Sequence, residues 1–88
     1  RLDGVTGVQT CALPISWSLP ATGPARLEVY DLRGRRVRTL LAGEPVAAGG
    51  AVRWDGRDDA GRAAPSGVYL ARLRAAGAEA SCRLLLAK

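Results

Sequence analysis

The chain has 88 residues, enough for one domain near the size at which a single core becomes marginal. Hydrophobic residues make up 48% of it but aromatic ones only 5%, so the core must be thin and built from Leu, Val, Ala and a few rings. The net charge of +5 is almost all arginine, with Lys88 the only lysine, and the lack of histidine removes the commonest general base and metal ligand.

Taken in chain order, short runs alternate apolar and polar residues between turn signals. Ile15, Trp17 and Leu19 alternate with Ser16 and Ser18, before the turn residues Pro20-Ala21-Thr22-Gly23-Pro24. Leu27 and Val29 alternate with Arg26, Glu28 and Tyr30, and Tyr30-Asp31-Leu32-Arg33-Gly34-Arg35 reads as a strand leaving into a tight hairpin. Val37 and Thr39 then alternate with Arg36 and Arg38. Val52 and Trp54 flank Arg53, so Trp54 is expected to end a strand and close one end of the core. Asp55-Gly56 opens a long turn, and Pro65-Ser66-Gly67 breaks the chain before Tyr69, Ala71 and Leu73. Cys82, Leu84 and Leu86 close it. Residues 71–88 are rich in helix formers, but Gly77 interrupts them and both flanks follow period two. A hairpin at Ala76-Gly77-Ala78 is therefore expected. The fold class that follows is all-β, an antiparallel sandwich of about six or seven strands.

Arg33, Arg35, Arg36 and Arg38 form the densest basic stretch, but no aromatic residues are interleaved for base stacking, so a solvated face is favoured over a nucleic-acid site. Asp55, Asp58 and Asp59 resemble part of a calcium loop, yet Arg57 takes an alternate position and no late glutamate follows, which favours turn chemistry. Ser16, Ser18, Ser66 and Ser81 have no histidine partner. The expectation is no enzyme, no cofactor and no metal. No apolar run approaches the roughly 20 residues of a membrane span, and no basic segment followed by an apolar one marks a signal peptide. Cys82 falls on the apolar phase of its strand and reads as a small buried hydrophobe.

The ordered set Trp54-Asp55-Gly56-Arg57-Asp58, Gly61 and Ser66-Gly67-Val68-Tyr69, with Val29-Tyr30-Asp31 and Gly34 upstream, resembles two related groups. One is the immunoglobulin-like domain of the flagellar hook-capping protein (the FlgD-like domain). The other is the type A C-terminal sorting domain of the type IX secretion system. The resemblance implies an immunoglobulin-like sandwich, here lacking its natural N-terminal part, belonging to a longer secreted or cell-surface protein. Tyr30, Asp31, Gly34, Trp54, Asp55, Gly56, Asp58 and Gly61 carry the fold motif. The sorting resemblance further implies a signal in Ser66, Gly67, Val68 and Tyr69 with Arg83, Leu84, Leu85, Leu86 and Lys88. Its partner would be the outer-membrane secretion machinery. The expected function is this sorting and surface-attachment role; the alternatives are a structural assembly module, as the hook-capping resemblance implies, and an adhesion or ligand-binding accessory on the same fold.

Val5–Ile15, VTGVQTCALPI, resembles a translated sequencing-library adapter. On this reading residues 1–15 are an artefact joined near Ser16, Ile15 completes the first strand by accident, and 16–88 is the module. A Cys11–Cys82 disulfide, conceivable on count alone, is then not expected.

Overall fold

The computed structural model describes residues 8–11, 15–18, 22–75 and 77–86. They form seven strands and no helix: β1 (Val8–Cys11), β2 (Ile15–Ser18), β3 (Gly23–Tyr30), β4 (Arg36–Val46), β5 (Gly49–Val52), β6 (Gly67–Ala75) and β7 (Ala78–Leu86). Five of them make one sheet in the order β1-β7-β6-β3-β4, and β2 pairs with β5 in a second. All pairings are antiparallel except β1 on β7, which is parallel. This is an immunoglobulin-like β-sandwich.

Period-two alternation sets the core. Ala25, Leu27 and Val29 of β3, Tyr69, Ala71 and Leu73 of β6, and Cys82 and Leu84 of β7 turn one face inward, where Ile15, Trp17 and Trp54 meet them. Trp17 packs its indole against Gly50, its register partner. A Cβ there would sit 2.6 Å from the indole, so only glycine lets the two strands approach this closely. The indole Nε1 donates to the Ala47 carbonyl at 3.1 Å, which satisfies its one polar atom.

The hairpin between β6 and β7 turns at Gly77, whose φ of 75° needs a residue without a Cβ. Other expectations are corrected. β5 stops at Val52, so Trp54 stands in the loop beyond the strand, where it packs inward without ladder bonds. The Val37/Thr39 phase breaks because β4 spends eleven residues against eight in β3, with irregularities at three points of the register. Val37 and Leu40 are stepped over by the ladder and both pack against the core, as does Leu41. β7 lies inside the sheet, with β1 beside Ser81–Leu84 and β6 on its other side. Cys82 is fully buried, but it is disulfide-bonded and not a free thiol; the parallel pairing brings the β1 backbone alongside it. Leu19, like Lys88, lies outside the described residues.

Candidate interaction surface

Two turns of the same spelling stand beside each other at one end of the sandwich. Asp31-Leu32-Arg33-Gly34-Arg35 joins β3 to β4, and Asp58-Asp59-Ala60-Gly61-Arg62 lies in the loop between β5 and β6. In the first, Asp31 Oδ1 accepts the amides of Arg33 and Arg35 at 2.9 and 3.0 Å. In the second, Asp58 Oδ1 accepts those of Ala60 and Arg62 at 3.0 and 2.9 Å. The backbone repeats too: the aspartate amide donates to the carbonyl four residues on, and the glycine amide donates back to the aspartate carbonyl. The glycines have φ of 84° and 82°. Each closing arginine returns its Nε to the aspartate Oδ2, at 3.1 Å for Arg35 and 3.5 Å for Arg62. The Arg35 amide chiefly, helped by its guanidinium and the Arg33 amide, holds the Asp31 carboxyl below the ordinary aspartate range. The Arg62 amide does the same for Asp58.

A cleft of about 490 Å³ opens between the two turns, with both Asp–Arg pairs, Arg36 and Tyr69 in its walls. Its polar groups are already engaged. The Tyr69 hydroxyl donates to the Pro65 carbonyl at 2.5 Å, and Trp54 Nε1 donates to the Arg57 carbonyl at 2.9 Å. Ala64 donates to the Gly56 carbonyl, and Arg57 bridges to Ala63, so the loop is itself a small hairpin. Asp55 accepts the Arg57 amide. Asp59 lies against the free edge of β4, donating its amide to the Val37 carbonyl and accepting the Thr39 amide, each at 2.9 Å. The three aspartates once weighed against calcium therefore each hold a different piece of backbone. Blunting the β4 edge in this way also protects it from strand addition.

The second feature is a buried acid that the sequence reading passed over. Glu28, on the outer phase of β3, is only 3% exposed. Arginines from three strands cover it: Arg74 Nη2 at 3.1 Å, Arg36 Nη1 at 3.4 Å and Arg26 Nε at 3.6 Å. The Tyr30 hydroxyl donates to it at 3.0 Å. Burial pushes the Glu28 carboxyl up, but the bonds from Tyr30, Arg74 and Arg36 and the charge of Arg26 outweigh it and leave it below the ordinary glutamate range. Arg26 and Tyr30 on the same phase were a local sign of such a cluster. Arg74, 46 residues away, is brought in only by the β3–β6 register.

The two halves of the proposed sorting segment are neighbours. Gly67, Val68 and Tyr69 pair with Leu86, Leu85 and Leu84. Tyr69 and Leu84 are buried in the core, Arg83 and Leu85 are exposed, and Lys88 lies outside the described residues. Of the fold-motif residues, Tyr30, Asp31 and Gly34 belong to the first turn. Trp54, Asp55, Gly56, Asp58 and Gly61 belong to the second loop.

Residues 6–79 match the family model of the FlgD Ig-like domain. The chain belongs to that family. No curated protein and no solved structure matches it. The FlgD Ig-like match takes in both D-x-x-G-R turns, Glu28 and Trp54–Tyr69, and it stops before Arg83–Lys88. Among the described residues no helix is long and apolar enough to cross a membrane.

Proposed function

We propose that the chain is a non-enzymatic assembly module of a larger exported bacterial protein, of the flagellar hook-capping type. The family match over residues 6–79 carries this reading. The cleft supports it: its carboxylates, guanidiniums and hydroxyl are spent on fastening two turns, which suits a rigid surface for protein contact and not chemistry on a substrate. No cofactor is needed for such a role.

A second reading has one observation in its favour. The ladder of β6 with β7 joins Gly67–Tyr69 to Leu84–Leu86, so the two halves of the candidate type IX sorting signal lie side by side, with Arg83 and Leu85 exposed. On that reading the module is recognised by the outer-membrane secretion machinery and leaves the parent on the cell surface. Deleting the module from the parent gene in its own host separates the two. Loss of hooks with the parent still exported supports assembly; retention of the parent in the periplasm supports sorting and overturns the first reading.

For the N-terminus we infer that Val5–Ile15 is translated adapter joined near Ser16, on the strength of its match to that string. Ile15 fills its core site by size and apolarity alone. Genomic sequence upstream of Ser16 tests this, and finding VTGVQTCALPI encoded there overturns it.

A further inference from the structure

We propose that the outer face of the five-stranded sheet is a docking surface for an acidic protein segment carrying an apolar side chain. The proposal rests on the reading of the chain as a protein-contact module, but not on which parent carries it.

The face is the phase of each strand turned away from the core. Arg26, Arg36, Arg72, Arg74 and Arg83 lie on it against Glu28 and Glu79, a net charge of +3. One carboxylate cannot neutralise the three arginines around Glu28. Each gives it a single contact, and their side chains stay 45%, 51% and 46% exposed. A guanidinium has five N–H donors in a fixed fork, so most of theirs remain open to an incoming acceptor. Glu28 thereby acts as a peg that holds three guanidiniums in place, which lowers the ordering cost of binding. Arg72 is held by Glu79 at 2.7 Å, while exposed Arg83 has no ion-pair partner among the described residues. Arg36 also reaches Asp59 at the rim, at 3.7 Å.

Beside the arginines the face is apolar. Tyr30 and Leu70, register partners on β3 and β6, floor a groove of about 340 Å³ walled by Arg72, Glu79 and Ser81, the Glu79 carboxylate being held by Arg72, and Leu85 stands 67% exposed beyond it. A groove of this kind takes one apolar side chain, and the surrounding cations take carboxylates on either side. An apolar floor does not suit a phosphate backbone. The single ring, Tyr30, is tied through its hydroxyl to Glu28 and offers no stacking platform. A second copy is disfavoured by the chain's own positive charge.

The test is fluorescence anisotropy on the whole chain, using a labelled peptide with one leucine between short runs of aspartate. The variants are Arg83→Glu and Leu70→Ser, with Arg53→Glu as a charge-matched control on the other sheet's exit. Arg83→Glu is expected to weaken binding ~10-fold and raised salt to weaken it further, as for several screened charge contacts acting together. Leu70→Ser is expected to weaken it by about 3- to 10-fold through loss of the apolar contact, and Arg53→Glu to leave it nearly unchanged. Equal weakening by Arg53→Glu overturns the proposal, because the charge would then act without a site. Tighter binding to a duplex DNA oligonucleotide or to phosphatidylglycerol vesicles than to the peptide overturns it too, as does absence of peptide binding. None of these outcomes depends on hook assembly or export, so failure here leaves the module reading to its own genetic test.

Discussion

Trp54 and Tyr69 meet edge to face, with ring centroids 5.1 Å apart and planes at 73°. The contact joins the loop after β5 to the start of β6, and each ring also ties its polar atom to a carbonyl of the intervening loop. This is how the loop bearing the second D-x-x-G-R turn is fixed to the core.

Truncating that contact should therefore be costly. Trp54→Ala is expected to destabilise the fold by about 3–5 kcal/mol, the range for removing a buried aromatic side chain. Tyr69→Phe keeps the ring and loses only the bond to Pro65, at about 1 kcal/mol. Urea titration followed by far-UV circular dichroism reads both, and equal costs would sink the account.

Gly50 and Gly49 offer a matched pair. Gly50→Ala drives a methyl into the Trp17 ring and should cost ~1–3 kcal/mol through overpacking. Gly49 has open space where its Cβ would be, so Gly49→Ala is expected within about 0.5 kcal/mol of wild type. Thermal melts of the two variants side by side check this.

The twin turns predict twin effects. Gly34→Ala and Gly61→Ala each force a left-handed φ on a residue with a Cβ, in open space. Each should cost ~1–2 kcal/mol. Matching costs are the expected result by chemical denaturation. A neutral outcome at either position means that the turn is held by something else.

Glu28 predicts a pH dependence. Its folded value lies below the ordinary one, so its ionised form stabilises the fold fully above the ordinary glutamate range. That contribution disappears as pH falls through the lower folded value. Glu28→Gln should be less stable than wild type at neutral pH, by about 1–3 kcal/mol for a buried group losing charged partners. It should also lose less stability than wild type as pH falls below the ordinary glutamate range. Parallel pH profiles would show that Glu28 does not carry the effect.

Local chemistry made much of this legible. Alternation placed Leu27, Val29, Tyr69, Ala71 and Leu73 inside, Gly77 marked its hairpin, and the Trp54 to Tyr69 motif pointed to the family. What escaped depended on register. Three irregularities in β4 are decided by how it meets β3, and no single strand spells them. Glu28 read as an ordinary outward residue because the arginines that bury it arrive from other strands. The parallel seat of β1 on β7 pairs segments from opposite ends of the chain. The second D-x-x-G-R turn was readable beside the first. Its Asp58 drew attention as an acid among acids, which hid its kinship with Asp31.

That kinship sets how the domain answers to acid. Asp31 and Asp58 fasten their turns with the same carboxylate-to-amide bonds, and both are displaced in the same direction from their ordinary range. Their contribution is present above that range and fades as pH falls through the lower folded values. The two walls of the cleft are therefore latches that acid loosens in the same direction.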